Sequence, residues 1–146
     1  MRIKDFYLEF SRLAEYVQSI ALLLARFAVA YGFYEPAMMK WSDIEAVAQW
    51  FGSMGIPLPT LNAYMAASTE ITGVVLLTLG LFTRFISIPL IVVMIVAIVT
   101  VHLPNGFQAG ENGFEIPLYY ILFLLIFFSH GAGRFSLDGI IFKQKA

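Results

Sequence analysis

The sequence predicts an all-α membrane protein: a four-transmembrane-helix bundle with an interfacial amphipathic N-terminal helix and a short interfacial helix between spans one and two. Three observations carry this. Hydrophobic residues make up 60% and charged residues 13% of the 146 positions, against about 45–50% and about 25% in soluble chains. So short a chain keeps a high surface-to-volume ratio, so lipid must be the solvent for much of that apolar surface. The apolar residues concentrate in four segments, 16–34, 61–82, 85–103 and 114–130, each near the roughly 17–25 residues that cross a bilayer core. None alternates as barrel strands do, and spanning backbone must close its own hydrogen bonds, so the segments are helices. A single domain covers 1–146.

The elements follow in order. In the N-terminal stretch, Ile3, Phe6, Phe10, Leu13 and Val17 recur at helical spacing while Lys4, Asp5, Glu9 and Arg12 lie off that line. This is an amphipathic helix for the membrane surface or for docking on the bundle. Charges recur through Glu15 and no small-residue cleavage site follows, so the stretch does not read as a cleavable signal. After the first span, SDIEAVAQWFG predicts a short interfacial helix. Ser42 and Glu45 have capping-box spacing, Ile44, Val47, Ala48 and Phe51 share a face, and Gly52 ends it. IPLP at 56–59 then resets the chain. LGLFTRF allows only a tight turn between spans two and three, with Gly80 suited to a left-handed helix end. The fourth span is the shortest and is followed by SHGAGRFSLDG. There Gly131 and Gly133 suit a cap and turn, and Ser136 and Asp138 can bond neighbouring amides. Asp138, beside Arg134 and Lys143, reads as a solvated structural element.

Placing Arg2, Lys4, Arg12, Arg84, Arg134, Lys143 and Lys145 on one side leaves only Lys40 opposite, with Arg26 inside span one. By the positive-inside rule both termini and the 83–84 turn of this multi-pass membrane protein are cytoplasmic. A net charge of -1 excludes a basic nucleic-acid binder. The absence of cysteine excludes a c-type haem attachment, a cysteine-ligated iron–sulfur cluster and thiol exchange.

The chemistry concentrates in a few polar residues. An ionisable side chain at bilayer depth costs roughly 2.5–3.5 kcal/mol on insertion scales, so it normally finds a partner within the bundle. Arg26 in LLLARFAVAYGF and Glu70 in AASTEITGVVLLTLG lie about 15 and 18 Å from the cytoplasmic side. They are expected to form a charge-assisted pair beside a seam of Ala66, Gly73 and Gly80, with Ser19 and Ala30 flanking Arg26. The pair is either a structural staple or the anchor of a carbonyl-bearing or anionic ligand. His102, Glu115 and Lys40 form a second polar cluster on the outer face. Glu115 also has capping-box spacing to Asn112, and His102 also reads as an interfacial histidine bonded to a loop carbonyl. No metal site is assigned; Met38, Met39 and His102 are weak candidates for copper(I). The run Tyr119, Tyr120, Phe123, Phe127 and Phe128 faces lipid and neighbouring helices, with a quinone slot as the lesser alternative.

Taken together, Arg26, Gly32, Lys40, Gly55, Glu70 and Gly73 in TEITG, Gly80 and Arg84 in LGLFTR, Glu115 in GFEIPLY and the GAGRFSLD ending at Asp138 resemble the DoxX family of small four-helix bacterial inner-membrane proteins. IPLPTLNAYMAASTE and VHLPNGF are most similar to its HvfX-type branch, associated with operons for small copper-binding peptides. The resemblance implies a membrane subunit or partner of an oxidoreductase system, tied to copper or oxidative stress or to copper-peptide maturation. Such a protein would act through a bound quinone or a partner enzyme's cofactor. The alternatives are a non-catalytic membrane adaptor that recruits a partner enzyme, and a small transporter or proton relay, which would need a homo-oligomer.

Overall fold

The computed structural model describes residues 2–143. Lys145, used above for orientation, lies outside them. The amphipathic start forms α1 (Ile3–Glu15), with no buried residue, so its apolar stripe is free for a membrane surface. A two-residue break at Tyr16 and Val17 leads into α2 (Gln18–Ser42).

The first span therefore runs well past its expected end at residue 34. Pro36 lies inside α2 rather than ending it. Within a bundle, neighbouring helices can accommodate the backbone carbonyl that a proline leaves without its donor. This extension carries Met38, Met39, Lys40 and Trp41 onto the end of a rigid helix instead of into a link. α3 (Ile44–Ser53) follows, turning Ala48 inward. Its cap is Asp43, which accepts from the Ala46 amide at 3.1 Å. The Ser42–Glu45 capping box does not form, because Ser42 Oγ instead bonds back to the Met39 carbonyl at 2.7 Å.

α4 (Pro59–Leu79) starts on a proline in its first turn, where the missing N–H costs nothing. It ends at Gly80, with φ 68°, and the Leu81 amide closes on the Leu76 carbonyl at 2.9 Å. α5 (Thr83–Ala97) continues through a wider turn at Ile98–His102 and a tighter one at Leu103–Asn105. α6 (Glu115–His130) and the short α7 (Leu137–Ile141) complete the chain.

α2 packs along α4, α5 along α6, and α4 on both α3 and α5. Leu22, Val29, Phe33, Leu77, Leu90 and Phe127 form the core. The outward faces carry exposed Leu24, Tyr31, Phe85, Val92, Leu122 and Phe128, the pattern of an all-α protein solvated by lipid. Two helical stretches, Gln18–Ser42 and Thr83–Asn105, are long and apolar enough on their own to cross a membrane. The polar residues of α4, from Thr60 to Thr78, dilute its hydropathy. α6 is apolar but 16 residues long, about 24 Å.

Candidate functional site

Arg26 and Glu70 are both buried, at 0% and 2% exposure, but they do not pair. Contacts between α2 and α4 show the reason. Arg26 meets Leu77 and Thr78, Lys40 meets Glu70, and Trp41 meets Ala67. Numbers rise along one helix as they fall along the other, so the two run antiparallel. Side chains lean toward the N-terminus of their own helix. Arg26 therefore reaches toward the arginine-rich end of the bundle, while Glu70 reaches the opposite way. Lys40, from the far end of α2, leans back onto Glu70.

The Arg26 guanidinium is spent on backbone carbonyls. Nε donates to Ala132 at 3.1 Å, Nη1 to Leu77 at 2.7 Å with Thr78 at 3.5 Å, and Nη2 to Phe135 at 2.5 Å. Leu77 and Thr78 belong to the last turn of α4, whose carbonyls have no partner within the helix and favour a cation. Gly80 makes the approach possible: a Cβ there would stand 2.6 Å from Arg26 Nη1.

The segment holding Ala132 and Phe135 is fixed in turn. Gly131 and Gly133 take φ 78° and 85°, and Ser136 caps α7 by accepting from the Gly139 amide at 2.9 Å. Asp138 is not solvated. It is 3% exposed and accepts from the Phe82 and Thr83 amides at 2.8 and 3.1 Å, capping α5 from a remote part of the chain. Its own amide donates to the Gly80 carbonyl at 2.9 Å. The whole arginine-rich end is thus a hydrogen-bonded lock, with four of the five guanidinium N–H groups of Arg26 directed at backbone carbonyls.

The opposite end differs. Lys40 Nζ contacts Glu70 Oε1 and Oε2 at 3.1 and 2.9 Å, with side chains 19% and 3% exposed. Trp41 Nε1 donates to the Ala67 carbonyl at 3.1 Å and its ring meets Tyr64 edge-on at 5.9 Å. Lys40 also lines an open groove of about 640 Å³ between α2, α3 and α6, with Tyr31, Glu35, Met39, Trp50 and Tyr120 around it. Gly32 forms part of the wall because the Tyr120 phenol occupies the space a side chain there would need. An apolar aromatic cleft of this size with one held cation has the character of a small-molecule site.

The outer polar cluster of His102, Glu115 and Lys40 does not assemble. Lys40 is committed to Glu70. His102 Nδ1 lies 3.0 Å from the Asn112 carbonyl. Glu115 accepts from the Ala109 amide at 3.0 Å and from the Tyr119 hydroxyl at 3.1 Å. Both therefore brace the 103–114 loop. The Asn112–Glu115 capping box is absent, since Asn112 sits in a left-handed turn at φ 58°. Met38 and Met39 line a shallow groove that does not include His102. Among the described residues, no three His, Cys, Asp or Glu side chains gather around a common point.

The DoxX family signature matches residues 21–103, a stretch that contains Arg26, Lys40, Glu70, Gly80 and Arg84. The chain belongs to the DoxX family. Among its relatives, a Haemophilus influenzae protein of uncharacterised role is 33% identical over 132 residues, covering 85% of both chains. A Bacillus subtilis protein named "Putative oxidoreductase CatD" is 35% identical over 127 residues, 86% of this chain and 90% of its own. The Escherichia coli inner membrane protein YphA is 35% identical over 65 residues, 44% of this chain and 46% of its own. No solved structure matches significantly. This DoxX protein is therefore a membrane protein in which buried Arg26 and Glu70 do separate jobs at the two ends of the bundle.

Proposed function

We propose that this DoxX protein is a membrane subunit or partner of a bacterial oxidoreductase system, binding a quinone headgroup in the groove beside Lys40. It would lie in the inner membrane as four spans with both ends cytoplasmic. The observation that carries the reading is the Lys40–Glu70 pair at the edge of an aromatic groove. An ammonium has three donors, and two are directed at the Glu70 oxygens. The third is left for a carbonyl oxygen in the groove. Glu70 neutralises the cation and fixes its position, while Tyr31, Trp50 and Tyr120 offer ring faces. The groove is open, so a lipid tail can leave along the apolar outer surface.

A bound quinone would supply two-electron, two-proton chemistry, with the electrons coming from a reduced cofactor of the partner enzyme. The name of the Bacillus subtilis relative supports an oxidoreductase setting. The likeness to the HvfX-type branch extends the proposal to copper and oxidative stress. Organic extraction of the protein purified in mild detergent, followed by mass spectrometry, tests the site. Wild type should carry quinone, Lys40→Met should lose most of it, and Met38→Ala should keep it. A folded Lys40→Met protein that retains the wild-type amount overturns the proposal. If a partner enzyme still co-purifies with that variant, the adaptor reading takes its place.

A further inference from the structure

We propose that the cleft between the end of α1, the start of α2 and the segment after α6 binds the phosphodiester headgroup of an anionic phospholipid. The cleft is about 400 Å³ and lies at the arginine-rich end, remote from Lys40. Arg12 and Arg134 line it from different parts of the chain. Arg134 makes no side-chain hydrogen bond or ion pair among the described residues, and the nearest carboxylate to Arg12 is Glu9 at 3.9 Å. An exposed i,i+3 contact of that length holds an arginine only weakly. Tyr16, Gln18 and Ser19 add neutral donors beside the two guanidinium groups.

Charge balance fits the assignment. Arg12 and Arg134 contribute two positive charges and Glu15 one negative, so the lining carries a formal +1. That matches a phosphodiester monoanion, and Glu15 can accept from a hydroxyl on the headgroup. Guanidinium groups suit phosphate oxygens because their fork donates two parallel bonds.

Depth separates a lipid from free phosphate. Ile3, Phe6, Phe10 and Leu13 are all more than half exposed along one line of α1, which sets that helix in the headgroup region. Arg12 lies in its last turn, so the cleft opens at the same level. Its remaining walls are Ile20 and Phe135, 48% and 53% exposed, which can receive the first carbons of an acyl chain.

The test measures thermal stability of the full chain in a maltoside detergent with added dioleoylphosphatidylglycerol, dioleoylphosphatidylcholine or inorganic phosphate. Phosphatidylglycerol should raise Tm in a saturable way, whereas phosphatidylcholine and phosphate at the same concentration should not. Near-membrane cations contribute such that Arg12→Gln or Arg134→Gln should each weaken apparent phosphatidylglycerol affinity about fivefold, and the double variant about thirtyfold. Circular dichroism establishes that each variant is folded. A Lys4→Gln/Arg84→Gln control removes the same charge outside the cleft and should change affinity less than threefold, about half the effect of one cleft arginine. An equal loss in that control, a double variant with wild-type affinity, or an equal shift from phosphatidylcholine overturns the proposal. An equal shift from inorganic phosphate reduces the cleft to a general anion site and overturns the lipid assignment.

Discussion

Replacing Arg26 by methionine isolates the lock at the arginine-rich end. Methionine keeps the unbranched apolar stem and adapts its shape to the space, although it ends short of the guanidinium position. What disappears is a set of donors to four carbonyls, three of them at 2.5, 2.7 and 3.1 Å. Hydrogen bonds to a charged group are worth about 1.5–3 kcal/mol each, so three give a gross loss of about 5–9 kcal/mol. Relief from burying a guanidinium returns several kcal/mol of this, leaving a net destabilisation of about 3–5 kcal/mol. Arg26→Lys offers donors from a single nitrogen and should cost less than methionine but more than half as much. Equilibrium unfolding in mixed micelles, followed by circular dichroism and tryptophan fluorescence, measures both. An Arg26→Met protein within about 1 kcal/mol of wild type would refute the lock, since it would mean that those carbonyls find equally good partners without the guanidinium.

Asp138→Ala should cost about 2–4 kcal/mol by orphaning the Phe82 and Thr83 amides, and Ser136→Ala about 1 kcal/mol through its cap, both read in the same assay. Gly80→Ala should destabilise by more than 1 kcal/mol because φ is 68° and the added carbon meets Arg26 and Ser136. A double-mutant cycle of Lys40→Met and Glu70→Gln should give a coupling of about 1–3 kcal/mol, and a value near zero would show that the ion pair does not act as a unit. Gly32→Ala should destabilise by about 1–3 kcal/mol through overlap with the Tyr120 phenol, with part of the loss recovered in combination with Tyr120→Leu.

The helices and their buried charges were legible because hydropathy and the cost of ions in hydrocarbon act on local sequence. Partner choice was not. Depth alone made Arg26 and Glu70 neighbours, but the lean of side chains on antiparallel helices sends them apart and sends Lys40 to Glu70. A first span ending at residue 34 groups Lys40 with His102 and Glu115, whereas α2 runs through Pro36 to Ser42 and carries Lys40 back onto Glu70. The lock at the arginine-rich end was half visible. Gly131, Gly133 and Ser136 announced a turn, whereas Asp138 meets amides 55 and 56 residues away, a pairing that no local pattern encodes.

The lock also has an order of assembly. Arg26 bonds Phe135 across 109 residues of chain, so at about 5–20 residues per second its last acceptor is made roughly 5–20 s after it. During that interval α3, α4, α5 and α6 are synthesised, and even after Leu77 and Thr78 are made the guanidinium still lacks the Ala132 and Phe135 carbonyls. Biogenesis must keep Arg26 hydrated or held by the insertion machinery until residues 131–139 arrive. The arginine-rich end of the bundle is closed by a segment made after α6, so the long helices that carry the other partners of Arg26 precede the one that shuts the lock.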